Sequence, residues 1–156
     1  MTYQYSPILL PVHHFPQHQT DECLAACAAM VLAYIGTPKP YNRLLKVLNI
    51  RDFGTSFFNL RSLTQLGVMV GIAEGNLDRL YTELSRNHPC IVPVQTAELP
   101  HWNKVRSEHA VVVVGIDSRS VYLNDPELPD APVEVPLGDF DLAWLERDEF
   151  YAVLTA

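Results

Sequence analysis

The sequence predicts one α+β domain in which a buried helix near the N-terminus packs against an antiparallel sheet. The chain has 156 residues, 48% of them hydrophobic, which suits one substantial core better than two independent domains. Apolar residues occupy every face of a helix over residues 23–35, and short runs of β-branched residues dominate after residue 90. We therefore expect one domain over residues 1–156, helical in its first half and mostly sheet in its second.

The first predicted helix, residues 23–35, has no polar face. One apolar stripe runs through positions 23, 27, 30 and 34 and a second through 24, 28, 31 and 35, so we expect this helix to be buried on all sides. Thr20 or Asp21 is the expected N-cap, and Gly36 followed by Pro38 is a stop signal. Cys23 would then lie in the first turn.

The later elements follow from hydrophobic periodicity and from β-branched runs. Helices are predicted at 41–48, 57–66, 77–86 and near 140–146, and strands at 68–73, 90–95, 110–116, 121–124, 133–135 and 150–154. A polar loop carrying Trp102 is predicted to connect the strands at 90–95 and 110–116.

Charge and composition exclude several functional classes. The net charge of −7, with only 11 Lys and Arg, lacks the basic surface that binds nucleic acid or anionic membrane, so a neutral or cationic partner fits better. No apolar run approaches the roughly 18 residues of a membrane span, and no basic segment of a secretory signal opens the chain. We expect a cytoplasmic protein whose three cysteines stay reduced.

Cys23 is the predicted nucleophile. A cysteine attacks only as its thiolate, and the unpaired N–H groups in the first turn of a helix favour that negative charge. The alternative is a buried structural cysteine, which is the commoner fate of an intracellular thiol. Cys27 and Cys90 are interpreted in that second way, as core residues.

A zinc site is the other alternative for this region, because three histidines precede the cysteine pair, namely His13, His14 and His18. A C-x3-C pair inside a buried helix matches the usual C-x2-C zinc knuckle poorly. No metal and no cofactor are predicted.

A catalytic thiol needs a general base, and His109 is the histidine at the mouth of a core strand. The segment HAVVVVGIDSRSVYLND indicates a hairpin that turns near Asp117, pairs Val113 with Val121 and places His109 opposite Asp125 on one face. Asp125 would accept the Nδ1 proton of His109 and leave Nε2 facing the thiol, while Asn124 would point to the other face. Taken singly, a loop-bound histidine and an aspartate that makes a turn before proline are equally good interpretations.

Two segments resemble the motifs of a known family, the papain-like cysteine peptidases of the bacteriocin-processing type. These domains cleave double-glycine leader peptides and are often fused to ABC transporters. The first motif is a Gln six residues before the nucleophile on a small-residue helix that ends in Tyr and Gly, here QHQTDECLAACAAMVLAYIG. The second is a His that opens a valine-rich strand with Asp-Pro sixteen residues later, here HAVVVVGIDSRSVYLNDP.

The resemblance implies a papain-like fold and a cysteine peptidase mechanism. By position, Cys23 is the nucleophile, His109 the general base and acid, and Asp125 the orienting carboxylate. Gln17, and not Gln19, is the side-chain donor of the oxyanion hole. The implied substrate is a peptide or protein, with a functional link to an export system.

The residues around the nucleophile depart from the family pattern. Members usually carry Asp-Cys-Gly, whereas this chain has Glu22, Cys23 and Leu24, so we expect Leu24 to shape the space beside the thiol. A narrow groove would favour glycine, and Trp102 is expected to form part of its wall, with an exposed loop tryptophan as the alternative. A peptide-binding module that does not cleave, and a papain-like amidase, isopeptidase or transferase, stay open as other functions.

Overall fold

The computed structural model describes residues 4–51 and 55–156. Within these ranges the strands form a seven-stranded sheet in which every pair is antiparallel. The strands are β1 (Ile8–Leu9), β2 (Met69–Glu74), β3 (Cys90–Gln95), β4 (Glu108–Ile116), β5 (Ser120–Asn124), β6 (Val133–Pro136) and β7 (Phe150–Thr155). The α-helices are α1 (Cys23–Tyr34), α2 (Tyr41–Val47), α3 (Leu77–Ser85) and α4 (Leu137–Leu145), and 3₁₀ helices span Phe57–Leu66, Thr96–Glu98 and Pro100–Trp102.

The strand order is β2-β7-β3-β4-β5-β6, and β1 pairs with β4. Along one edge of β4, β3 covers residues 108–113 and β1 continues at Gly115 and Ile116. A Cβ atom on Gly115 would lie 2.6 Å from the carbonyl oxygen of Ile8. A glycine therefore permits the close approach of β1.

The sheet has a hydrophobic core on each face. Successive residues of β4 alternate between them, so that Val111 and Val113 pack with α3 and α4 while Val112 and Val114 pack with α1, α2 and the 3₁₀ helix Phe57–Leu66. Most of α1 is buried because the sheet covers one side and the neighbouring helices cover the others. The predicted α+β class and the buried helix against an antiparallel sheet are confirmed.

Most predicted elements lie within two or three residues of the observed bounds, and the differences have local causes. The region predicted as a helix at 57–66 is a 3₁₀ helix, and β1 had no counterpart in the prediction. The predicted N-cap was wrong, since α1 begins after Glu22 with no side-chain cap. The N–H of Glu22 donates to the Gln19 carbonyl at 3.1 Å, which places Thr20 and Asp21 in a turn that precedes the helix.

None of the helices in the described ranges has the length and apolar character needed to cross a bilayer.

Candidate active site

The site forms where the first turn of α1 meets the start of β4. Cys23 is the first residue of α1 and is partly exposed, whereas Cys27 is fully buried one turn later. His109 is the second residue of β4, and its ring lies close enough to Cys23 for the thiol to help raise the pKa of His109. Because α1 packs directly on β4, two segments that are far apart in the sequence bring a thiol and an imidazole together.

His109 also contacts Asp125, which follows directly after β5. The His109 Nε2 atom lies 2.7 Å from the Asp125 Oδ1 atom, and both side chains are buried. The side chain of Asn124 points elsewhere and donates to the Val12 carbonyl oxygen at 3.1 Å. The predicted contact is present, but the predicted ring nitrogens were wrong, because Nε2 bonds Asp125 and Nδ1 is left for the thiol.

The register of the hairpin explains why His109 bonds Asp125 through Nε2 and not through the predicted Nδ1. Val113 pairs with Leu123 instead of Val121, because the turn occupies residues 117–119 and a bulge interrupts the ladder between Val113 and Gly115. The predicted pairing was therefore two residues out of register.

In the observed register, Asp125 continues β5 opposite the position of Val111, two residues from His109 on the same face. A diagonal neighbour in a sheet is within reach of a long side chain. The far nitrogen of the His109 ring spans this longer distance, and the near nitrogen does not.

The electrostatics of the pair favour opposite charges. Burial alone raises the pKa of the Asp125 carboxyl, but hydrogen bonds from His101, His109 and Trp102 outweigh burial and hold that pKa well below its usual range. Burial alone lowers the pKa of His109, but its hydrogen bonds to Asp125 and Cys23 and the attraction of their negative charges raise it to about 9. At neutral pH an imidazolium therefore lies between a carboxylate and the thiol.

Trp102 lies beside the His109–Asp125 pair, and its predicted place in the groove wall stays a prediction. Its indole Nε1 donates to the Asp125 Oδ2 atom at 2.9 Å, and its ring meets the His109 ring edge-on with centroids 5.0 Å apart. His101, which the sequence did not single out, places its Nε2 atom 2.7 Å from the same Oδ2. The sequence shows a His-Trp pair in the loop before His109, but no spacing rule connects that pair to Asp125.

Gln17 lies against the segment that follows Asp125. Its backbone N–H donates to the Pro126 carbonyl oxygen at 2.8 Å, and its side-chain Nε2 donates to the Glu127 Oε2 atom at 2.8 Å. The Gln17 Oε1 atom is buried and has no hydrogen-bond partner among the described residues. The amide predicted to serve the oxyanion hole is thus engaged by a carboxylate in this structure.

A model of the peptidase C39 family matches residues 12–147. The chain belongs to the peptidase C39 family. It is therefore a cysteine peptidase, in agreement with the resemblance found in the sequence. No curated protein matches the chain.

Several solved peptidase structures share its fold. A C39-like peptidase from Bacillus anthracis has a TM-score of 0.78 and 19% identity, over 97% of this chain and 98% of that one. A double-glycine-motif protease from an AMS/PCAT transporter, solved with its leader peptide, has a TM-score of 0.73 and 22% identity, over 97% and 98%. The peptidase domain of Streptococcus ComA, a bifunctional ABC transporter, has a TM-score of 0.73 and 18% identity, over 91% and 96%.

A cleft of about 710 Å³ opens beside the thiol of this C39 peptidase. Cys23, Leu24 and His109 line it on one side, and Phe57 and Phe58 from the 3₁₀ helix also line it. Leu24 is only 2% exposed, so its side chain packs inward at the position where the family usually has glycine. The predicted role of Leu24 in shaping the space for substrate stays a prediction.

The other cysteines of this C39 peptidase lie away from solvent. Burial raises the pKa of both the Cys27 and the Cys90 thiols well above the ordinary value. Within the described ranges, no group of three or more His, Cys, Asp or Glu side chains is arranged to hold a metal ion.

Proposed function

We propose that this C39 peptidase hydrolyses peptide bonds with a Cys23–His109–Asp125 triad. The observation that carries the proposal is the position of the His109 ring, which hydrogen-bonds Asp125 and shares the lining of one cleft with Cys23. A base held in this way can take and return a proton at the nitrogen that faces the thiol, while the carboxylate fixes its orientation.

The proposed reaction has two stages. The Cys23 thiolate attacks the peptide carbonyl carbon, and His109 Nδ1 then gives its proton to the leaving amine as the C–N bond breaks. His109 next takes a proton from water, whose oxygen attacks the thioester and releases the acid and the thiol. Both stages pass through an oxyanion that needs hydrogen-bond donors.

We propose the Cys23 backbone N–H and the Gln17 side-chain amide as those donors. The first N–H groups of a helix have no intrahelical partner, and Cys23 is the first residue of α1. Gln17 has to exchange its hydrogen bond to Glu127 for one to the oxyanion. The assignment of Gln17 depends on its six-residue spacing from Cys23 and on the family motif.

We infer that the substrate is a leader-like peptide cut after Gly-Gly. A double-glycine-motif protease that shares this fold was solved with a leader peptide, and apolar residues, among them Phe57 and Phe58, line the cleft beside the thiol. Glycines next to the cleaved bond demand the least room. Two of the peptidases with a similar fold come from transporters, which supports a functional link to export.

A peptide panel tests the substrate. Synthetic peptides that differ only in the two residues before the bond, Gly-Gly, Gly-Ala or Leu-Leu, are incubated with the wild type and Cys23→Ala and read by mass spectrometry. We expect cleavage of the Gly-Gly peptide by the wild type alone. Binding to Cys23→Ala without cleavage by the wild type would indicate a binding module, and equal cleavage of all three peptides would contradict double-glycine specificity.

Alkylation tests the nucleophile without a substrate. A limiting amount of iodoacetamide at pH 6 should label Cys23 before Cys27 and Cys90, because both of those thiols are buried and their pKa values are raised by burial. Replacing His109 with Ala should slow the labelling of Cys23 by removing the adjacent positive charge. Peptide mapping that found Cys27 or Cys90 labelled first in the folded protein would contradict the assignment.

A further inference from the structure

The 3₁₀ helix Pro100–Trp102 presents two consecutive side chains to one oxygen atom. His101 Nε2 lies 2.7 Å and Trp102 Nε1 lies 2.9 Å from the Oδ2 atom of Asp125. The other oxygen, Oδ1, meets His109 Nε2 at 2.7 Å and the backbone N–H of Glu127 at 3.0 Å. Each oxygen of the carboxylate therefore has two nitrogen partners, and one side of this arrangement comes entirely from the loop between β3 and β4.

That loop is held in place by its own contacts. Thr96 Oγ1 donates to the Val105 carbonyl oxygen at 2.7 Å, and the Gln95 side-chain oxygen accepts the Ser107 N–H at 2.8 Å. Leu99, directly before the 3₁₀ turn, is fully buried in the core. The two donors are therefore positioned before any substrate binds, so little free energy is spent on orienting them during the reaction.

The hydrogen bonding of His101 indicates that its Nε2 atom is a donor. Its Nε2 atom meets the carboxylate, while its Nδ1 atom is buried and has no partner among the described residues. An ionised carboxylate only accepts hydrogen bonds, so the Nε2 atom that meets it carries a proton. His101 is therefore a hydrogen-bond donor to Asp125 through Nε2.

We propose that His101 and Trp102 are positioning residues that hold Asp125 Oδ2, so that Oδ1 stays aimed at His109. This inference rests on the proposed triad. Without the two donors the carboxylate can rotate about its Cβ–Cγ bond, and the His109 ring loses the partner that fixes its orientation toward Cys23. The loop between β3 and β4 thus supports the general base by holding Asp125.

Three variants separate hydrogen bonding from packing. His101→Phe removes the donor and keeps a flat ring, whereas His101→Gln places an amide N–H at a similar reach. Trp102→Phe keeps an aromatic ring beside His109 and removes the indole N–H. His88→Phe is the matched control, since His88 is partly exposed and bonds Glu83 away from the site.

The readouts are kcat and KM for the Gly-Gly peptide, the alkylation rate of Cys23 at pH 6, and the melting temperature. A lost hydrogen bond to a charged group corresponds to about 10- to 100-fold. We therefore expect His101→Phe and Trp102→Phe to lower kcat about 10- to 100-fold with unchanged KM and to slow alkylation. His101→Gln should recover most of both rates, and His88→Phe should match the wild type.

Two results would overturn the proposal. One is a wild-type kcat and alkylation rate for Trp102→Phe or for a folded His101→Phe. The other is a folded His101→Gln that is no more active than His101→Phe, which would mean that ring shape and not the donor matters. Full hydrolysis by Cys23→Ala would instead refute the triad itself, so failure of the proposed function gives a different result.

Discussion

Replacing Asp125 with Asn tests the electrostatics of the site most directly. The substitution keeps the size of the side chain and removes its negative charge. It also turns one acceptor oxygen into an NH₂ group. Because His101 and Trp102 both point donors at Oδ2, an Asn in the same orientation sets donor against donor, and the flipped orientation sets its NH₂ against the protonated Nε2 of His109.

The expected size of the effect follows from the pKa of His109. The hydrogen bonds and charges of Asp125 and Cys23 raise this pKa from 6.5 to about 9 against the opposing effect of burial. One pKa unit corresponds to about 1.4 kcal/mol, so the rise represents about 3 kcal/mol in favour of the imidazolium. In Asp125→Asn the pKa of His109 should fall back toward 6.5, since burial remains and the carboxylate does not.

The assay is the pH profile of kcat/KM, with iodoacetamide alkylation of Cys23 as a second readout. Departure of the amine requires the His109 proton, so the wild type should lose activity as pH rises through about 9. The alkaline limb of Asp125→Asn should lie close to two pH units lower. An alkaline limb at the wild-type position in a folded Asp125→Asn would refute the assignment of Asp125 as the partner that charges His109.

The same pKa makes the stability of the wild type depend on pH. A group whose pKa is raised on folding stabilises the protein below its unfolded pKa, and that contribution is lost as pH rises through the folded value. His109 should therefore contribute up to about 3 kcal/mol to the free energy of unfolding below pH 6.5, and lose it toward pH 9. Urea titrations at pH 6.5 and 9 should show a smaller difference for Asp125→Asn than for the wild type.

Two further predictions concern the oxyanion loop and the sheet. Gln17→Ala should lower kcat about 10²- to 10³-fold, measured against Gln19→Ala, and a larger loss in Gln19→Ala would reassign the donor. Gly115→Ala should reduce the free energy of unfolding by about 1–3 kcal/mol in urea titrations, because the new Cβ would lie 2.6 Å from the Ile8 carbonyl oxygen. Gly71→Ala has open space for its Cβ and should cost less, so equal losses would show that the contact with β1 is unimportant.

The sequence predicted those parts of the fold that depend on local patterns. An apolar run with no polar face predicted the buried helix α1, and β-branched runs predicted β3 and β4 close to their observed bounds. The two-residue strand β1 carries too little pattern to be recognised. Its place in the sheet depends on Gly115, which allows close approach from a segment more than one hundred residues away in the chain.

The parts of the candidate site that lie within a short sequence motif could be predicted. The contacts made by a long loop could not. The spacing between His109 and Asp125 suggested their contact. No residue pattern predicted the bulge in β4 that shifts the register, and the bond to Asp125 is therefore made by Nε2 and not by Nδ1. The contacts of His101 and Trp102 with Asp125 depend on the path of a long loop. That path is set by hydrogen bonds such as Thr96 Oγ1 to the Val105 carbonyl, which sequence spacing does not reveal.

The departure from the family pattern at Glu22 has a structural explanation in a contact that no motif includes. Glu22 is buried and its Oε1 atom accepts the Tyr41 hydroxyl at 2.9 Å, which joins the start of α1 to α2. The Tyr41 ring stacks on His18, with centroids 4.2 Å apart, and His18 is the residue directly after Gln17. Glutamate has one methylene more than aspartate and so a longer reach to this hydroxyl. The residue before the nucleophile therefore helps to fix the loop that carries the proposed oxyanion donor, and a change at Glu22 should alter Gln17 as well as Cys23.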